Sequence, residues 1–98
     1  MPRPKHCRRI QFEPGVTYFK PAGIRITDLE EVLLHFEEYE AIRLIDLEEI
    51  DQEQAGKKMQ ISQPTLSRLL KSARKKIAEA VIQGKAIKIE GGSYEFKK

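Results

Sequence analysis

Tryptophan is absent from this 98-residue chain, and cysteine occurs once, as Cys7. A single thiol excludes an internal disulfide. With only two histidines beside it, the chain cannot supply the usual four ligands of a structural zinc site. No stretch approaches the ~18 consecutive apolar residues of a membrane-spanning helix. The N-terminus, MPRPKHCRRI, is basic but lacks the apolar run of a signal peptide, so a reducing cytoplasm is the expected setting. No internal repeat and no low-complexity segment is visible. Aromatic packing has to come from four Phe and three Tyr.

The most informative absence is local. Residues 54–78, QAGKKMQISQPTLSRLLKSARKKIA, hold no Asp or Glu and seven Lys and Arg. Residues 28–53 are the reverse, with eleven acids and one base, Arg43. Net charge is only +3, so the distribution says more than the total. A chain of this size builds one small core, and dimerisation would supplement its marginal stability.

Turn residues and capping patterns divide the chain. Residues 1–26 read as a basic arm followed by extended segments. Ile10 and Phe12 alternate as in a strand, Glu13-Pro14-Gly15 turns, and residues 16–19 are extended. Residues 27–84 read as the helical domain. Thr27 and Glu30 have the form of a capping box and predict a short helix over 28–32. A second helix is predicted over 37–48, burying Tyr39, Ile42 and Ile45, with Leu44 and Leu47 widening the stripe and the acids facing solvent. Asp51 and Gln54 form a second box opening a helix over 52–59. Ser62 is a good N-cap, and Pro64 is tolerated in a first turn because its missing N–H would be unpaired there anyway. A long helix to about Gln83 follows, with Leu66, Leu69, Leu70, Ala73, Ile77 and Val81 on one face. Gly84 stops it. Residues 85–98 read as a β-hairpin with a Gly91-Gly92 loop, placing Ile89 opposite Tyr94 and Ile87 opposite Phe96. Its apolar face is the expected dimer contact.

Residues 51–83 have the form of a helix-turn-helix. Ala55 and Gly56 are small where two helices would touch, and Met59 and Ile61 flank the turn. Gln60 stands where such turns often place Gly, and a positive φ there would cost roughly 1 kcal/mol. In this motif the second helix enters the major groove and its N-terminal residues meet base edges. At about 100° per residue, Ser67, Arg68, Lys71 and Lys75 lie opposite the leucine face, with Gln63 and Arg74 at one edge. Gln pairs with adenine and Arg with guanine, so Gln63, Thr65, Ser67 and Arg68 are the candidate base readers. Lys57, Lys58, Ser62, Lys71, Arg74 and Lys75 are the candidate phosphate contacts. The acidic helix is expected to face away from the duplex.

The stretch EYEAIRLIDLEEIDQEQAGKKMQISQPTLSRLLKSARKKIAEAV resembles region 4 of the sigma-70 family, which reads the −35 promoter element through its helix-turn-helix. More of the chain resembles the domain of unknown function 134 family of small prokaryotic predicted DNA-binding proteins. RPKHCRRIQFEP, TYFKPAGI, LEEVLL, EYEAIRLIDLE and GKAIKIEGG carry that resemblance across residues 3–92. It implies a sigma-70 region 4-like bundle, and with the short N-terminal strand and C-terminal hairpin read above the expected fold is mainly α. It also implies a transcriptional role, with double-stranded DNA and possible contact with RNA polymerase. The family pattern has Ala and Gly where this chain has Gly56 and Gln60.

Other constellations have plainer readings. His6-Cys7 would be half of a metal site shared across a dimer, but an unliganded strand edge is the simpler account. Cys7 beside Arg8 and Arg9 would have a lowered pKa, as a redox sensor needs. TYFKPAG reads as core rather than a ligand contact. Glu37, Glu38, Glu40, Glu48 and Glu49 read as a solvated face, with no nucleophile or phosphate loop to make an enzyme. No cofactor and no metal are expected. The expectation is a DNA-binding regulator acting as a homodimer. The alternatives are an RNA-binding protein, which lacks an aromatic stacking platform here, and a module docking on the transcription machinery.

Overall fold

Two side chains begin the central helices as their chemistry dictates. The Asp51 carboxylate accepts the Gln54 N–H at 2.9 Å and opens α2 (Gln52–Met59). Ser62 Oγ accepts the Thr65 N–H at 3.3 Å and opens α3 (Gln63–Gln83), with Pro64 in its first turn. Gly84 ends α3 at φ 68, a left-handed conformation that glycine adopts without a Cβ clash. α1 (Phe36–Ile42) begins where Glu38 accepts the His35 N–H at 2.9 Å, and it continues as a π-helical turn over Arg43–Leu47. The computed structural model describes residues 8–10, 15–91 and 94–96. The protein is mainly helical with a small three-stranded sheet.

The periodic leucines of α3 build the core. Leu66 and Leu70 pack with Ala41 and Leu44 of the preceding helical segment and with Ala55 and Met59 of α2. Farther along α3, Ala73 packs with Leu34 and Ile89, which brings the sheet onto the helices. That sheet has the order β2 (Tyr18–Phe19), β4 (Ala86–Ile89), β3 (Glu31–Leu34). β4 runs antiparallel to β2 and parallel to β3, so Ile87 lies opposite both Phe19 and Val32. One strand thus comes from each of the three stretches that composition separates. The chain ends meet in a second, parallel pair, β1 (Arg8–Ile10) with β5 (Tyr94–Phe96).

Several expectations are corrected. Residues 28–32 do not form a helix. A 3-10 turn occupies Ile26–Asp28 and β3 begins at Glu31. Alternation explains it: Val32 and Leu34 are buried while Glu31 and Leu33 are exposed, a period of two that overrides the capping pattern. The terminal hairpin does not form either. Both edges of β4 are taken by β2 and β3, and β5 pairs with β1 instead. Gly92 of its expected loop and the following Ser93 lie outside the described residues, as do the arm over 1–6, Cys7, Phe12 and Pro14. Leu47 is 74% exposed and Val81 70% exposed, so neither belongs to the core stripe. The π-helical turn accounts for Leu47, because its wider winding rotates that residue off the face that Leu44 buries. TYFKPAG is not core: Phe19 sits on an edge strand, 53% exposed.

The acids of the second helix are a solvated face only in part: Glu48 and Glu49 are exposed. Glu37, Glu38 and Glu40 are buried, Glu40 completely. Arg43 donates to both Glu40 oxygens at 2.9 Å and also pairs with Glu48. Lys76 donates to Glu38 at 2.8 Å, and Ser72 donates to its other oxygen. Pairing and hydrogen bonds make the burial of Glu38 and Glu40 tolerable, whereas Glu37 Oε1 is buried without a hydrogen-bond partner among the described residues.

Candidate nucleic-acid interface

The turn between α2 and α3 is closed from both sides. Ala55 and Met59 are fully buried against α3. At Gly56 the chains approach so closely that a Cβ would lie 3.0 Å from the Ile61 carbonyl oxygen. The Ile61 N–H donates back to the Gly56 carbonyl at 2.9 Å. Gln60 takes the left-handed conformation, φ 59 and ψ 45, which lets its N–H reach the carbonyls of the last helical turn. Its side chain is exposed, so the position carries strain without burying a polar amide.

This turn aims the N-terminal half of α3. Ser67, Arg68, Lys71 and Lys75 are exposed on the side away from Leu66, Leu70 and Ala73, and Gln63 is exposed at the edge of that strip. Arg68, Lys71 and Lys75 enter no ion pair among the described residues. Lys58 at the end of α2 is exposed and unpaired in the same sense. Lys57 lies 3.7 Å from Glu53 in an exposed pair, which adds little. Two of the expected contacts also serve the fold. Ser62 caps α3 and donates its hydroxyl proton to Thr65 Oγ1 at 3.0 Å, and Thr65 is half-buried. Ser62 and Thr65 therefore set the start of the strip.

Arg74 differs from its neighbours. Its Nη2 and Nε donate to the two carboxylate oxygens of Asp46 at 2.7 and 3.1 Å. The hydrogen bonds from Arg74 hold the Asp46 carboxyl below its usual range, and those to Asp46 raise the guanidinium further. The acidic segment thus does not simply face away, because Asp46 reaches the edge of the basic strip. Lys76, on the other edge of α3, is drawn to Glu38. Burial pushes the Glu38 carboxyl up, but hydrogen bonds from Lys76, Ser72 and the His35 N–H together outweigh it and hold it low. The acids of the first helical segment flank the strip from both sides and leave its centre open.

Sequence reasoning missed Asp46 and Glu38. Their partners stand 28 and 38 residues away, and nothing local announces such pairs. It also missed an apolar surface cleft where Phe19 and Pro21 face Ala80, Val81, Gly84 and Ile87. Ile82, the next residue along α3 after Val81, is 81% exposed. Among the described residues no His, Cys, Asp or Glu come together in threes to hold a metal ion, and no helix is long and apolar enough to cross a membrane.

Comparison with known proteins places this chain in a group. The family described as "Protein of unknown function DUF134" matches residues 1–97. A "UPF0251 protein" of Moorella thermoacetica is 56% identical over 96 residues, covering 98% of this chain and 64% of its own length. A UPF0251 protein of Caldanaerobacter subterraneus is 55% identical over 95 residues, covering 97% of this chain and 80% of its own length. One from Thermoanaerobacter pseudethanolicus is 52% identical over 94 residues, covering 96% and 80%. The chain therefore spans just under two thirds of the Moorella relative. No solved structure gives a significant match.

Proposed function

We propose, from the premise that the chain belongs to the DUF134 family, that it binds double-stranded DNA through α3 and regulates transcription. The observation that carries this reading is the exposed, acid-free strip of Gln63, Ser67, Arg68, Lys71 and Lys75 at the start of a helix fixed by a tight turn. An α-helix fits the major groove, where Arg and Gln side chains distinguish guanine and adenine by paired hydrogen bonds. Lys71 and Lys75 hold phosphates and set the register. The helical part is taken to be arranged as in sigma-70 region 4, with α2 against the backbone and α3 in the groove. Two copies bind one duplex, joined through the exposed apolar residues Phe19 and Val81 that line the cleft, since patches of this kind mark interaction sites.

Selection of bound duplexes from a random pool, followed by competition with RNA of the same sequence, tests the reading. A recurrent motif whose duplex outcompetes its RNA is the expected result. Equal or tighter RNA binding would contradict it. A second reading, a module that docks on the transcription machinery without reading bases, is favoured by the same apolar cleft. It predicts that no motif emerges from the pool.

A further inference from the structure

One side chain of the basic strip is already held, and how it is held leaves part of it free. Asp46 grips Arg74 from the side, taking the Nε and one Nη2 proton at 3.1 and 2.7 Å. A guanidinium has five N–H donors in a planar fork. The two protons of Nη1 and the outer proton of Nη2 are left, and they lie on the end of the fork. That end matches the spacing of two phosphate oxygens. Both residues are substantially exposed, Arg74 at 53% and Asp46 at 40% of their side chains. The two-bond grip joins two helical segments and, at so exposed a site, orders a guanidinium that would otherwise rotate freely. Asp46 sits in the π-helical turn, fixed by the buried Arg43 and Leu44 beside it, so its carboxylate is presented from a rigid base. Arg74, at the edge of the strip, lies one helical turn beyond Lys71 on that same face.

We propose that Asp46 is a positioning residue for DNA: it fixes the Arg74 guanidinium so that its free end clamps a backbone phosphate in bidentate fashion. This rests on the DNA-binding reading above. The carboxylate adds negative charge near the duplex, and its compensation is that a long, freely rotating side chain is ordered before binding. Arg74 thereby acts as a fixed clamp at the edge of the strip, while Lys71 and Lys75 act as mobile point charges.

The test is a cycle of Asp46→Ala, Arg74→Ala and the double variant, with Asp46→Asn as a milder control. Affinity for a random-sequence duplex is measured across a salt titration, and a thermal melt checks that each variant folds. Arg74→Ala is expected to weaken binding roughly three- to tenfold and to make the log K against log salt slope shallower by about 0.9, one phosphate contact. Asp46→Ala is expected to do nearly the same, although it removes a negative charge, and the double variant is expected to fall no further. Asp46→Asn, which keeps one acceptor oxygen, is expected between wild type and Asp46→Ala. Tighter binding by Asp46→Ala with an unchanged or steeper slope would overturn the proposal, because the carboxylate would then be competing with phosphate. Strictly multiplicative effects of the two single variants would overturn it as well. A wild-type protein with no duplex affinity at low salt would remove the DNA reading and this inference together. Wild-type binding with an inert Asp46–Arg74 pair would remove the inference alone.

Discussion

Gln60 is the residue where local chemistry and the turn disagree most openly. Its φ of 59 places a Cβ in the left-handed region, where a non-glycine side chain crowds the following carbonyl. The side chain is exposed, so nothing is gained there by packing. Gln60→Gly is expected to raise stability by about 1 kcal/mol in a urea melt, since glycine meets that conformation without the clash. No change or a loss would show that glycine's extra freedom in the unfolded chain cancels the relief. This residue was legible in the sequence because the helix caps around it, Asp51, Ser62 and Gly84, each act on neighbours a few positions away. Glu38 was not legible, because its partners Ser72 and Lys76 arrive from another helix. Its carboxyl is held below the ordinary 4.5, so its pairing stabilises the protein above that pH and is lost as pH falls through the lower folded value. Wild type should therefore lose more stability between about pH 5 and pH 3 than Glu38→Gln does, read as urea midpoints. Equal losses would mean the pair contributes nothing to acid stability.

At the scale of elements, α3 has to do two things with one helix, and its faces divide them. Leu66, Leu70 and Ala73 bury one side, while Arg68, Lys71 and Lys75 stand on the other with Gln63 at its edge. Base-reading and phosphate-holding side chains should separate on mutation. Gln63→Ala or Arg68→Ala should weaken a selected site by roughly 1–3 kcal/mol and relax its preference, measured by competition among point-mutated duplexes. Lys71→Ala or Lys75→Ala should weaken all sequences about equally. A change of preference from the lysines alone would mean α3 is rotated relative to the groove. The helical periodicity of residues 63–80 was readable because it repeats over five turns. β4 was misread because four residues, Ala86–Ile89, suit a hairpin and a central strand equally well. Only the tertiary fold decides, by bringing β2 and β3 to its two edges.

Across the whole molecule, β4 ties the chain's first half to its last. Ile89 packs with Leu34 and Ala73, so a chain ending after Gly84 would lose the middle of its sheet and part of its core, not merely a dimer contact. The dimer expectation therefore moves from a terminal hairpin to the end of α3. Val81→Glu should leave a folded monomer, while the unaltered chain should scatter light as a dimer at micromolar concentration. A monomeric unaltered chain would leave that surface for another protein. The central claim, a basic strip matched to a phosphate backbone, is tested most directly by one titration. Duplex affinity is followed by fluorescence anisotropy from low to moderate salt. If a dimer neutralises on the order of eight phosphates, log K against log salt should slope near −7, from roughly −0.9 per contact. A slope near zero would contradict the account.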